Sequence, residues 1–425
     1  MLDVKFIKAN PEKVKQNIIA KFQNEKLNLV DEVIELYDNY CKIKADCDEL
    51  RSSRTKFSKQ IGELIKTGKE AQAIEIKQQV AQLNEKIEVL TEQQKTIFAK
   101  TEKKVKQIPN IIDDSVPIGK DDSQNVEVER FGEPIVPNFE VPYHIEIMEK
   151  FSGIDLDSAR KTSGNGFYYL TGEVARLHSA ILTYARDFMI DRGFIYCVPP
   201  FMIHGEVVEG VMSFDEMENM MYKIENENLY LIGTSEHSMI GRYIDTIIKE
   251  ENLPLKLTSY SPCFRKEVGA HGIEERGVYR IHQFEKQEMV VLCKPEQSMS
   301  FFAEMLQTTV DFFRSLDIPV RTIECCSGDL ADLKTKSLDV EAWSPRQKKY
   351  FEVGSCSNLG DAQARRLKIR SKGANGTYFV HTLNNTVVAP PRMLIAFLEN
   401  NYCEDGTVKI PQVLWPYMGG KQRLS

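Results

Sequence analysis

The sequence predicts an α+β protein: a domain on a mainly antiparallel sheet with flanking helices, preceded by an antiparallel helical hairpin. Three observations predict it. From Lys26 to Gln107 the chain has no proline, is nearly free of glycine, and repeats its apolar residues at three- and four-residue steps. At Ile108–Ser123, "IPNIIDDSVPIGKDDS", Pro109, Pro117 and an acidic cluster then interrupt the pattern. Beyond it, strand-like runs such as "KLTSYSPCF" and "VYRIHQFEKQEMVVLC" mix with helical stretches and are often separated by short turns rather than crossover helices.

The hairpin comes first along the chain. Val33, Leu36, Tyr40, Ile43, Cys47, Leu50, Phe57, Ile61 and Leu64 form one stripe, broken only by Arg54. After "KTGKE", whose Gly68 marks a tight turn, the rhythm resumes at Val80, Leu83, Ile87, Leu90 and Ile97, then Val105 and Ile108. The stripe is narrow and the outer faces are charged, so the two helices are expected to pack on each other rather than on a core. Residues 1–107 thus form one domain, 108–135 a linker and 136–425 the larger domain. Within the latter, "ARLHSAILTYARDFMI" and "FFAEMLQTTVDFFRSL" read as helices, and "HTLNNTVVAPPRMLIAFLEN" ends a polar strand and opens a helix with Pro391 in its first turn.

Bulk composition narrows the function classes. A chain of 425 residues with 42% hydrophobic content can bury a sizeable core. Its 55 Lys and Arg against 62 Asp and Glu give a net charge of −7, so any nucleic-acid contact must come from a local basic surface. The hairpin offers one, with Lys42, Lys44, Arg51, Arg54, Lys56, Lys59, Lys66 and Lys69 on its first helix and turn, and Lys77, Lys86, Lys95, Lys100, Lys103 and Lys104 on the second; a solvated coiled-coil face would carry the same residues. Nine cysteines without a Cys-x-x-Cys pair suit a reducing compartment. With no apolar run long enough to cross a bilayer, the expected location is the cytoplasm.

The chemistry concentrates in "CFRKEVGAHGIEERGVYRIHQFEKQEM", Cys263–Met289. On a strand, Arg265 and Glu267 would project to the same face. The Arg265 fork can bridge a phosphate and a carboxylate, Glu267 can accept from an amino group of a base, and Phe284 can stack on it. A surface salt-bridge ladder across a hairpin explains these residues equally well taken alone. "LYLIGTSEHSM" places Thr234 and Glu236 on one face of an expected strand, and "KYFEVGSCSNLGDAQARR" offers Glu352 and Ser355 as hard-oxygen ligands for Mg²⁺. Arg392, beside Pro391 at a helix N-terminus, is suited to clamp a phosphate. Neither a Walker-type loop nor a G-x-G-x-x-G after a strand is present.

Taken in order, these segments resemble the seryl-tRNA synthetases, a class II aminoacyl-tRNA synthetase family. The resemblance runs from "MLDVKFIKANPEKV" and the helical arm through "SGNGFYYLTGEVARLHSAIL" to "DGTVKIPQVLWPYMGG". "DRGFIYCVPPFMI" is similar to the first class II signature, "CFRKE…HQFEKQEM" to the second and "PPRMLIAFLENN" to the third. It implies a class II catalytic domain at 136–425 and a tRNA-binding arm in 1–107. It also implies ATP- and Mg²⁺-dependent activation of L-serine and transfer to tRNA(Ser), extending to tRNA(Sec) through the same arm recognition.

Residue by residue, the resemblance makes Arg265, Glu267 and Arg392 the catalytic set. Arg265 would hold the α-phosphate and the serine carboxylate, and Glu267 would read the adenine amino group. Phe284 and Arg392 would sandwich the ring, Arg392 also reaching the γ-phosphate, while Ile281, Glu352, Val353, Gly354 and Ser355 complete the ATP site. Glu352 and Ser355 would carry Mg²⁺. Thr234, Glu236, Arg265, Glu288, Asn384 and Thr386 would surround serine. Zinc is not expected, and a homodimer is, through the first signature. Gly233 and Thr386 stand where many bacterial members have Pro and Ser, giving a pocket of the archaeal and eukaryotic type. "EGVMSFDEMENMMYK" lacks the usual Gly-rich loop. His282 is read as positioning its strand, Cys325-Cys326 as packing, and Trp343 and Trp415 as core or interface.

Overall fold

The computed structural model describes residues 1–267, 277–374 and 376–425; Gly269 and Gly272 of the second signature lie outside them. The chain divides into two compact units, Leu2–Pro109 and Met1 with Asn110–Ser425.

In the first unit, short helices Val4–Ala9 and Pro11–Ala20 precede two long ones, Asn28–Lys66 and Glu70–Val105. The turn between the long helices contains Gly68 at φ +72°, with open space around its Cα, so backbone conformation rather than crowding selects glycine there. The apolar stripe lies along the seam. Val33, Cys47 and Ile87 are buried and Leu36, Ile43, Leu50, Phe57, Leu83 and Leu90 half-buried, while most residues between them are exposed. The break at Arg54 is a polar crossing: its guanidinium donates to Asn84 Oδ1 at 3.5 Å, one turn from Arg51, which donates to Thr91 Oγ1 at 3.4 Å.

The second unit is built on eight strands: β1 Val126–Phe131, β2 Ile195–Tyr196, β3 Leu255–Phe264, β4 Gln283–Cys293, β5 Val320–Glu324, β6 Lys336–Ser344, β7 Lys349–Asn358 and β8 His381–Val388. Their order across the sheet is β1-β5-β6-β7-β8-β4-β3-β2, antiparallel throughout except for the short parallel pair β2–β3. Strand β1 lies inside the stretch read as a linker. It pairs with β5 from Val126↔Glu324 to Phe131↔Val320, so those residues belong to the sheet edge.

One face of the sheet is closed by helices. "FFAEMLQTTVDFFRSL" forms helix Ser298–Ser315, and its three- to four-residue spacing buries Phe302, Met305, Thr309, Phe312 and Phe313. From β8, Asn385 donates to Met305 O at 2.8 Å and pairs with Thr309 Oγ1 at 2.9 Å on this side. Helix Gly172–Asp191 covers β4 here too, its His178 meeting Glu285 at 2.8 Å. Helix Pro390–Asn401 adds Phe397 to the core; each such side chain contributes about 1.5–3 kcal/mol by leaving water. Because side chains alternate, Phe284, Lys286 and Glu288 of β4 and Thr382, Asn384 and Thr386 of β8 face the opposite way.

Candidate active site

On that opposite face lies a cavity of about 460 Å³. It brings together the residues expected at the ATP, serine and Mg²⁺ sites: Thr234, Glu236, Arg265, Glu267, Ile281, Phe284, Glu288, Glu352, Val353, Gly354, Ser355, Asn384, Thr386 and Arg392 all line it. The elements that carry them differ from expectation in two places.

Arg265 and Glu267 are not on the strand. The β3 ladder ends at Phe264↔Gln283, and Arg265 only extends it by donating its N–H to His282 O at 2.9 Å. Glu267 has φ +49°, a left-handed conformation that costs a side-chain-bearing residue on the order of 1 kcal/mol and clusters at functional sites. Its carboxylate faces Arg280 at 3.5 Å. Thr234 and Glu236 are also off the expected strand, which closes at Leu231. Thr234 is the N-cap of helix Ser235–Gly241, its hydroxyl accepting from Glu236 N at 3.4 Å. The run Thr-Ser-Glu is a helix-start pattern, and the cap won over strand propensity.

The floor of the cavity is polar and buried. Glu288, opposite Ser259 on one side and Thr386 on the other, accepts from Thr234 Oγ1 at 3.1 Å and is ion-paired with Lys286. Lys286 Nζ also reaches Thr386 Oγ1 at 3.4 Å. Burial pushes the Glu288 carboxyl above its usual range, with Lys286 opposing. Burial, and next the Glu288 charge, push Glu236 up to about 7. Two buried carboxylates thus stand at this end of the cavity, and of the two the Lys286 ammonium contacts Glu288 alone.

At the other end, Glu352 and Ser355 are three apart on β7 and would face opposite ways on a regular strand. A bulge prevents it: Glu341 pairs with Glu352 while Val340 pairs with Gly354, so the extra residue Val353 returns both to one face. Asp339, opposite Ser355, joins them there, and burial with the neighbouring Glu352 raises its carboxyl to about 6. Arg392, in the first turn of its helix, donates to Glu352 Oε2 at 2.8 Å and to Glu352 O at 3.1 Å, and its guanidinium lies 4.7 Å from the Tyr279 ring centroid. Phe284 is faced instead by Arg265, at 5.3 Å, and Arg265 Nε donates to Gly233 O at 3.2 Å. His282 ties this end down, its Nδ1 being 3.0 Å from Arg265 O and 3.1 Å from Tyr222 Oη.

The seryl-tRNA synthetase N-terminal domain model matches residues 1–112, and the model of the class II tRNA synthetase core domain (G, H, P, S and T) matches 221–401. The serine–tRNA ligase of Methanoculleus marisnigri is 39% identical over 429 residues, covering 100% of both chains. The chain belongs to the seryl-tRNA synthetase family. The crystal structure of seryl-tRNA synthetase from Pyrococcus horikoshii complexed with ATP superposes with a TM-score of 0.89 at 36% identity, covering 100% of this chain and 99% of that one. The cytoplasmic serine–tRNA ligase of Naegleria fowleri in complex with AMP gives 0.88 at 31% identity, with the same coverage.

Within this seryl-tRNA synthetase site, Lys286, Tyr279, Lys334 and Asp339 are among the lining residues that the sequence did not single out. Lys286 had a usable signal, since period two from Phe284 to Glu288 places it on the cavity face. Tyr279, Lys334 and Asp339 line the cavity with no local pattern to mark them; Lys334 Nζ reaches Ser355 Oγ at 3.5 Å. The segment "EGVMSFDEMENMMYK" forms part of helix Gly205–Val211 and helix Phe214–Met220, started by a Ser213–Glu216 capping box, and Val211, Met212, Glu216 and Met220 line the cavity in place of a Gly-rich loop.

Proposed function

We infer that the chain is a serine–tRNA ligase that activates L-serine with ATP and transfers the seryl group to tRNA. The observation that carries the reading is the convergence of Arg265, two buried carboxylates and the Glu352–Arg392 pair on one cavity. The serine carboxylate attacks the α-phosphorus of ATP in line, forming seryl-adenylate and releasing pyrophosphate. Arg265, held by Gly233 O, bridges the two anions as they approach and stabilises the charge that develops. Glu236, Glu288 and Thr234 receive the serine ammonium and hydroxyl, and Asn384 and Thr386 close the pocket. A substrate without the hydroxyl would leave buried polar groups unpaired. Glu267 accepts from the adenine amino group, Ile281, Val353 and Gly354 complete the nucleotide site, and Phe284 and Arg392 hold the ring. Arg392 exchanges Glu352 for the γ-phosphate.

The donor set fits Mg²⁺, because the bulge at Val353 aligns the oxygens of Glu352 and Ser355 on one face, with Asp339 beside them. Bound there with ATP, the ion supplies charge neutralisation to the phosphates. A terminal ribose hydroxyl of tRNA(Ser), a tRNA gripped through the helical arm, then attacks the seryl carbonyl, forming the ester and releasing AMP, and tRNA(Sec) is the second acceptor to test. Exposed Ile195, Val198 and Met202 beside edge strand β2 support a symmetric homodimer, expected as twice the 48.7 kDa chain mass in light scattering; a monomer mass at micromolar protein would refute it. Among the described residues no helix is long and apolar enough to cross a membrane, and the cytoplasm is the location we assign. Arg265→Ala should nearly abolish serine-dependent pyrophosphate exchange; exchange at the wild-type rate would remove the assignment.

A further inference from the structure

Gln363 is not among the cavity-lining residues, yet it is hydrogen-bonded to two that are, Glu236 and Val211. Its side chain is fully buried in helix Ala362–Leu367 and makes three hydrogen bonds. Nε2 donates to Glu236 Oε1 at 2.8 Å and to Val211 O at 3.1 Å, and Oε1 accepts from Thr382 Oγ1 at 2.6 Å. The two acceptors claim both amide N–H groups, which leaves the amide oxygen for the Thr382 hydroxyl and fixes the orientation of the side chain. Thr382 stands on β8 on the same face as Asn384 and Thr386, so Gln363 hangs from the strand that forms the pocket wall.

The same short helix also grips the segment across from Glu236. Arg366 Nη1 donates to Glu209 O at 3.0 Å and to Met212 O at 2.6 Å. Gly210 packs so closely on Leu367 that a Cβ there would meet its Cδ2 at 2.2 Å. Val211 and Met212 are cavity wall. One helix therefore holds residues 209–212, and one side chain on it also holds Glu236.

We propose that Gln363 is the positioning residue of the serine pocket: by occupying Glu236 Oε1 it leaves Oε2 to meet the amino acid's ammonium, and it locks that carboxylate to the wall at Val211. A glutamine suits this position, because a carboxylate there would repel Glu236 and an aliphatic side chain would leave Glu236 without a donor. The charged groups around Glu236 are Glu288, which opposes its ionisation, and Lys286 and Lys334, which favour it; His237, next on its own helix, is kept neutral by burial. Gln363 is the hydrogen-bond donor among the groups that favour the ionised form.

The inference rests on the serine pocket assigned above, and the test separates the two. Serine-dependent pyrophosphate exchange is measured from pH 6 to 9 for Gln363→Leu, Thr382→Val and Glu288→Ala, with ATP binding followed by calorimetry. In Gln363→Leu the serine KM at pH 7 should rise about tenfold or more, ATP binding should stay at the wild-type level, and the loss should recover as pH rises. The acid limb of kcat/KM for serine should move about one unit to the alkaline side, since the carboxylate has lost a donor. Thr382→Val, which removes one hydroxyl, should shift both quantities in the same direction by less, and carries the test if Gln363→Leu does not fold. Wild-type serine KM and an unmoved acid limb in both variants would overturn the proposal. So would a joint loss of ATP and serine affinity without recovery at high pH, which would reduce Gln363 to packing. If Glu288→Ala leaves serine KM unchanged, the pocket itself is misassigned; if it raises KM while the other two variants do not, only the role of Gln363 fails.

Discussion

Replacing Glu236 with glutamine should stabilise the ligand-free protein, and by an amount that depends on pH. The side chain is buried beside Glu288, and burial first and Glu288 second raise its carboxyl from 4.5 to about 7. Between those values the folded state keeps a proton that the unfolded chain has released. Stability from this group is therefore fullest below about pH 4.5, declines as pH rises towards 7, and is flat beyond. At 1.36 kcal/mol per unit the shift amounts to about 3 kcal/mol, an upper bound because Glu288 and Lys286 titrate with it. Glu236→Gln removes the titration but keeps an oxygen for the Gln363 amide. The expected result is equal melting temperatures for variant and wild type near pH 4.5. The variant should lead by about 4 °C at pH 8, given the unfolding entropy of a unit of roughly 300 residues. Scanning calorimetry in a pH series measures it. A difference that is constant with pH, or that grows on acidification, would refute the electrostatic account of the pocket. The same variant should bind serine more weakly, since one of the two carboxylates proposed to receive the ammonium is gone.

Lys286→Met leaves Glu288 buried without its cation and should destabilise the ligand-free protein by about 3 kcal/mol or more. Saturating serine should raise its melting temperature more than that of wild type, and an equal shift in both would show that serine does not replace the lysine charge. Asp339→Asn should raise the Mg²⁺ concentration for half-maximal exchange several-fold, and in wild type that concentration should climb as pH falls through about 6, where Asp339 takes up a proton; a Mg²⁺ titration insensitive to both would place the metal elsewhere. Deleting Lys26 to Gln107 should leave serine-dependent pyrophosphate exchange largely intact and sharply reduce tRNA charging, with tRNA binding by the full chain weakening steeply as salt rises. Charging at the full-length rate by the truncated protein would sink the role given to the arm.

How much of this was legible in the sequence depended on whether the signal was local. The arm was, because a seam between two helices needs only a repeated step, and even its one flaw, Arg54, is met across the seam by Asn84. The cavity face of β4 was equally legible, since alternation from Phe284 through Lys286 to Glu288 is set by the pleat alone. Thr234 was misread because its hydroxyl caps a helix, although Thr-Ser-Glu is itself a start signal and could have been weighed against the apolar run before it. Glu352 and Ser355 were paired as hard-oxygen donors, a pairing that regular strand alternation by itself contradicts. What reconciles the two is the bulge at Val353, a feature of the register with β6 that one strand cannot reveal. Asp339 and Gln363 were beyond reach for the same reason taken further. Each acts across a strand pair or a helix packing, on Ser355 and Glu352 in one case and on Glu236 in the other, so nothing near them in sequence records their partners. The residues that touch a ligand advertise themselves by chemistry, whereas those that aim them are defined by tertiary contacts. Replacing Thr382 or Gln363 thus tests the fold's contribution to the site in a way that replacing Arg265 does not.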